Sequence, residues 1–156
     1  MTQLKLYFED FEAGQVFELG SRTLSAERIL EFAREFDPQP FHIDEAAAAR
    51  SIYGRLIASG WHTGSTLMGL VAEGLLNRTT SQGSPGLEEL RWTKPVYPGD
   101  ELSGRCTVEQ TRASRSKPDR GSVLILSELR NQHGDVCVAM RSWGIFLRRG
   151  PRATPD

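Results

Sequence analysis

The chain is poor in the residues that announce metal or disulfide chemistry. Among 156 residues there are two cysteines and three histidines. None of them falls at a metal-ligand spacing, so no metal cofactor is expected. Cys106 and Cys137 sit in apolar strand patterns and read as small core residues of a reducing cytoplasm, not as a disulfide. An excess of one charge is missing too, the formal net charge being -1. That removes the electrostatic basis for nucleic-acid binding, and no basic helix points to a membrane surface. The first residues, MTQLKLYFEDFEAG, carry acids where a secretory leader needs an unbroken apolar run. A cytoplasmic location is the resulting expectation. The length suits one domain and is too short for two. We expect that domain over residues 1–148 and a disordered tail over 149–156.

What is present is a sequence of clear punctuation. A first strand is expected over 15–24. Ser25 then caps a helix whose apolar stripe is Ile29, Leu30, Phe32, Ala33 and Phe36, with Leu24 placed to staple against Ile29. Asp37-Pro38 stops it. Asp44 suits the cap of a short helix over 45–50. A longer helix is expected over 59–77, with Trp61, Leu67, Met68, Leu70, Val71, Leu75 and Leu76 spread around its circumference. A helix apolar on nearly all sides is buried at the centre of a domain. Gly60, Gly64, Gly69 and Gly74 along it are expected to admit other backbone closely. His62, Ser65 and Glu73 exclude a membrane span. After Gly86 the pattern is antiparallel strands, with turns over 97–100, 116–121 and 131–135. The strands around 123–129 and 136–147 are apolar on both faces. One face covers the long helix, and the other calls for a second partner. Pattern alone gives an α+β domain with helices segregated from a meander.

One stretch carries the chemistry: Phe36-Asp37-Pro38-Gln39-Pro40-Phe41-His42. Pro38 and Pro40 remove two backbone donors and bias the residues before them away from the helical region. The segment reads as a stiff, irregular turn that presents Asp37 and His42 in a fixed relation. A carboxylate and an imidazole so held suit the positioning and deprotonation of water. An ordinary loop with a surface histidine and a capping aspartate fits the same residues.

The run resembles the signature of MaoC-like dehydratases and R-specific enoyl-CoA hydratases, roughly Gly-Asp-x-Asn-Pro-aliphatic-His. Asp37, Pro40 and His42 hold the matching positions, with IASGWHTG following and ELRWTKPVYPGDEL beyond. Phe36, Gln39 and Phe41 depart from the pattern, standing for its Gly, Asn and aliphatic residue. The resemblance implies a single hotdog fold, a long buried helix wrapped by an antiparallel β-sheet. It implies a lyase of fatty acid metabolism that adds water to, or removes it from, the C2–C3 bond of an acyl thioester. No cofactor is then needed, since the CoA or acyl-carrier thioester is the substrate. Asp37 and His42 would be the catalytic pair. Gly60, opening the buried helix, would offer its N–H to the thioester oxygen, and small Ser59 beside it would leave room. Phe41 and Trp61 could line an acyl pocket or be plain core aromatics, and Gln39 is placed on the substrate side. A homodimer is implied, with assemblies of dimers left open.

Two other readings of the same fold stand beside this one. A hotdog thioesterase often carries its acid on the central helix, where only Glu73 stands. A non-catalytic acyl-thioester binding module would not need Asp37 and His42. His62 reads as a core histidine and His133 as a surface turn residue. Arg115, Lys117 and Arg120, with Arg91 and Lys94, fit a solvated surface better than phosphate contacts.

Overall fold

A computed structural model describes residues 5–150. In chain order it contains β1 (Val16–Thr23), α1 (Ala26–Phe36), α2 (Pro40–Ile43), α3 (Glu45–Ala49), α4 (Gly60–Gly74), β2 (Leu87–Trp92), β3 (Glu101–Ala113), β4 (Arg120–Arg130) and β5 (Val136–Leu147). Short 3₁₀ turns occupy Phe8–Asp10 and Leu76–Arg78. The five strands form one antiparallel sheet in the order β1-β3-β4-β5-β2. β3, β4 and β5 are a meander, while β1 and β2 take the two edges. α4 lies between the edge strands in sequence and packs across β1, β3, β4 and β5. This is the hotdog arrangement.

Side-chain alternation explains which face the helix meets. Leu102, Cys106 and Val108 of β3 are buried, as are Val123, Ile125 and Leu129 of β4 and Val138 and Phe146 of β5. They join Leu67, Leu70, Val71 and Leu75 in one core. Each fully buried leucine there stabilises the fold by about 1.5–3 kcal/mol. Cys106 and Cys137 are buried and unpaired, and burial pushes the Cys106 thiol up to about 11. The helix starts follow the expected caps. Ser25 Oγ accepts from Arg28 N at 3.2 Å, and Asp44 Oδ1 accepts from Ala46 N at 2.8 Å.

Several expectations are corrected. α4 ends at Gly74 rather than 77, because Leu75 leaves helical geometry (φ −135°) and the Arg78 guanidinium takes the Gly74 carbonyl. α4 is not buried on all sides: Trp61 is 59% exposed and Met68 44%. Its glycines admit mainly side chains, with Trp92 against Gly60, Arg22 against Gly69 and Leu19 against Gly74, while nothing approaches Gly64. The second face of the sheet is covered in part by the chain's own long residues, with Leu126, Trp143 and Ile145 left half-buried. Arg112 lies over the Trp143 ring at 4.3 Å, and Arg141 is chelated by Glu109 and Glu89. Leu124, outside the main core, is buried on that face and is in register with Trp143 of β5. The exposed large apolar residues include Trp61 and Met68 on α4 and Leu87 and Trp92 on the edge strand β2.

Within the expected tail, Arg149 pairs with Asp10 at 2.6 Å. The rest of the expected tail, 151–156, lies outside the described residues. None of the described helices is long and apolar enough to cross a membrane.

Candidate active site

Asp37 is the cap that ends α1, its N–H donating to Ala33 O at 2.9 Å. Its φ of −153° turns the chain away from the helix. Gln39 N–H then donates back to Asp37 O at 2.8 Å, closing a three-residue turn around Pro38. Beyond that turn the structure corrects the sequence reading. The segment is not irregular throughout, because Pro40–Ile43 makes one turn of helix, α2, with Pro40 in its first position. Proline is tolerated there because the missing N–H would have had no intrahelical partner. His42 therefore projects from a short helix toward the end of a longer one.

The two side chains meet with Asp37 Oδ2 at 3.3 Å from His42 Nε2, both largely buried. Ile57 O lies 2.8 Å from His42 Nδ1. A carbonyl only accepts, so Nδ1 carries the proton. In the neutral ring Nε2 then presents a lone pair to the carboxylate. Two acceptors so placed need a shared donor: a proton on the imidazole, or a water with one hydrogen for each.

Asp37 has two further partners. Gln39 Nε2 donates to Oδ1 at 2.7 Å, and Ser59 Oγ donates to Oδ2 at 2.7 Å. Burial of Asp37 opposes ionisation, but the Ser59 and Gln39 hydrogen bonds and the nearby imidazole outweigh it. The carboxyl is held below the ordinary aspartate range. Ser59 is fully buried and also caps α4, accepting Trp61 N–H at 3.3 Å. Gly60 opens α4, where the first N–H groups have no intrahelical partner and the helix dipole favours negative charge. Among the described residues the Gly60 N–H has no acceptor.

These groups face a cleft of about 520 Å³. Phe41 packs edge-on to His42, with ring centres 4.5 Å apart, and leans on Tyr53. Trp61 meets Trp92 edge to face at 5.3 Å. The expected residues Asp37, Gln39, Phe41, His42, Gly60 and Trp61 line the cleft, and Ser59 sits behind it. Sequence reasoning missed Tyr53, Thr63 and Trp92 on its walls. An aromatic residue at a strand end just before Lys94-Pro95 was the available signal for Trp92.

The remaining candidates lie elsewhere or are engaged. His62 is buried away from the cleft and stacked on Phe32 at 4.4 Å. Its Nδ1 has no partner among the described residues, so it is not the satisfied core histidine the sequence suggested. Lys94 lines the cleft but is paired with Asp135 at 2.8 Å. Arg120 is paired with Asp119 on the β3–β4 hairpin. Glu73 pairs with Arg22 at 2.6 Å and does not line the cleft. Among the described residues no cluster of three or more His, Cys, Asp or Glu is placed to hold a metal ion.

Residues 10–127 match the family described as the MaoC like domain, and the chain belongs to that family. A MaoC-like dehydratase from Rhodospirillum rubrum, known by crystal structure, is similar at 40% identity and a TM-score of 0.87, over 94% of this chain and 99% of that one. The (R)-specific enoyl-CoA hydratase of Aeromonas caviae is 32% identical over 111 residues, 70% of this chain and 78% of the relative. The 3-hydroxybutyryl-CoA dehydratase of Methylorubrum extorquens is 31% identical over 114 residues, 72% of this chain and 69% of the relative.

Proposed function

We propose that this protein is a hydratase/dehydratase that adds water to, or removes it from, the C2–C3 bond of an acyl thioester. The observation that carries the reading is the facing pair of acceptors, Asp37 Oδ2 and His42 Nε2, beside the start of a buried helix. A water donating to both is oriented with its oxygen lone pairs toward the cleft. In hydration the pair takes one proton from that water as its oxygen bonds to C3. The C2–C3 π electrons move toward C2 and the thioester oxygen. Gly60 N–H and the α4 dipole meet the negative charge that develops there. The pair then returns its proton to C2, giving the 3-hydroxyacyl thioester. Dehydration reverses each step. Residues supply every proton transfer, so the reaction calls for no cofactor.

The named relatives support the reaction class, being an enoyl-CoA hydratase and a hydroxyacyl-CoA dehydratase. The thioesterase alternative is disfavoured because Glu73, the one acid on α4, is tied to Arg22 outside the cleft. The substrate would be carried on CoA or an acyl-carrier protein, in a cytoplasmic setting suited to two free thiols.

A homodimer belongs to the same proposal. β2 is an edge strand with unpaired backbone, and its exposed Leu87 and Trp92, with Trp61 and Met68 of α4, are the apolar residues a second copy would cover. Light scattering at micromolar concentration tests this, and an active species of monomer mass alone would reject it. The activity is tested by a screen of short, branched and long enoyl-CoA esters, following loss of the enoyl-thioester absorbance. Hydration of none of them, nor dehydration of the matching 3-hydroxyacyl esters, would overturn the reading.

A further inference from the structure

The segment 57–60 supplies three groups to the site. Ile57 O fixes the His42 tautomer, Ser59 Oγ donates to Asp37, and Gly60 opens α4. The end of β2 and the connection from β2 to β3 hold this segment from outside at two points. Ala58 N–H donates to Val96 O at 2.9 Å, and the Trp92 indole Nε1–H donates to Gly60 O at 2.7 Å. Trp92 ends β2 and is registered to Val138 of β5, so the sheet sets its place. Contact is possible only because residue 60 has no side chain: a Cβ there would lie 2.4 Å from the indole Cε2.

The hydrogen bonds from Trp92 inward all run in one sense. The indole N–H donates to the carbonyl of the peptide joining Gly60 and Trp61. The N–H of that same peptide donates to Ser59 Oγ at 3.3 Å, and the Ser59 hydroxyl donates to Asp37 Oδ2 at 2.7 Å. A donor on a peptide carbonyl strengthens the N–H of the same unit, and aligned hydrogen bonds polarise one another. The chain of donors ends on a carboxylate, where added polarisation is most effective. Thr63 Oγ1 also donates to Gly60 O, at 2.9 Å, but from within α4. Only Trp92 brings the register of the sheet to this peptide.

We propose that Trp92 is a positioning residue for the reaction, acting through the Gly60–Trp61 peptide and Ser59 on Asp37. The inference rests on the hydratase reading for its rate consequences, though not for its electrostatic ones. Trp92→Phe keeps an aromatic wall and deletes the N–H. The folded variant should lose roughly three- to tenfold in kcat, the size of one hydrogen bond, with KM little changed. The carboxyl of Asp37, followed by its ¹³C NMR signal, should titrate at higher pH than in the wild type. In a Ser59→Ala background, Trp92→Phe should add almost nothing to the loss of kcat, because its route to Asp37 is already cut. Should phenylalanine prevent folding, benzothienylalanine at position 92 keeps the indole shape without the N–H.

An unchanged Asp37 titration in the folded variant, or losses that multiply in the double mutant, would overturn the proposal. A drop confined to KM would do the same, marking Trp92 as a wall of the cleft and nothing more. The titration needs no substrate. A wild type inert on every enoyl thioester, with the Asp37 signal still displaced by Trp92→Phe, would remove the hydratase reading and leave the relay standing.

Discussion

Ser59 donates its hydroxyl proton to Asp37 Oδ2 across 2.7 Å, and the same oxygen receives the Trp61 N–H. One buried side chain thus caps the central helix and steadies a carboxylate in its charged form. The two roles use different lone pairs and protons of a single hydroxyl, so they do not compete.

Ser59→Ala should therefore raise the Asp37 carboxyl toward the ordinary range, since the largest effect favouring the anion is lost. An activity that needs the carboxylate would then fall away at a higher pH than in the wild type. The pH profile of kcat/KM on the best substrate checks this. An acid limb in the same place would show that Ser59 acts as a cap alone.

Asp37→Asn and His42→Gln should each lower turnover by about two orders of magnitude or more, the usual scale of general acid–base catalysis. Both variants should stay folded, because neither residue belongs to the apolar core. Near-normal turnover in either would remove the pair from the mechanism.

Glycines 60 and 64, four residues apart on α4, should respond in opposite directions. A methyl group at Gly60 would lie 2.4 Å from the rigid indole of Trp92, so Gly60→Ala overpacks that contact. We expect it to cost about 1–3 kcal/mol as overpacking and to perturb tryptophan fluorescence. Nothing approaches the space beside Gly64, and Gly64→Ala should stabilise the protein by about 0.5–1 kcal/mol through helix propensity. Thermal denaturation of both variants decides the matter.

His62 makes stability depend on pH. Burial, with the nearby Arg28 charge, holds its folded-state pKa below the ordinary value. Between that value and the unfolded one the unfolded chain binds more protons, so stability present above the unfolded pKa is lost as pH falls through the folded one. Urea midpoints measured from about pH 7 downward should decline, starting near the ordinary histidine value of about 6.5. His62→Phe should flatten that decline. An equal slope in both proteins would place its origin elsewhere.

Most of the scaffold was legible because its signals are local. Ser25 and Asp44 are helix caps that announce themselves, and the alternation of Leu102, Cys106 and Val108 fixes which face of β3 is buried. The prolines alone left the Asp37/His42 pairing open against an ordinary loop, and the family resemblance chose between them; Pro40 also begins a helical turn that the same prolines had argued against. Trp92 was missed because its importance comes from register. Nothing local to it says that β2 will stand beside β5 and bring the indole to Gly60. The partial cover over the far face of the sheet was unforeseen for a similar reason. Its leucines are visible in the sequence, but the arginines and the tryptophan that share the face with them come from neighbouring strands.

The strand order also has a consequence in time. β3, β4 and β5 are neighbours in both sequence and space and can pair as successive hairpins. The candidate cleft instead needs residues 37–63 to meet the exit of β2, which reaches its edge only by pairing with β5. Contacts between distant parts of the chain carry the larger loop-closure penalty and form late. In refolding from urea, sheet signal should return first and the ability to turn over substrate should lag behind it. A protein caught between those stages would carry most of its strands and none of its chemistry.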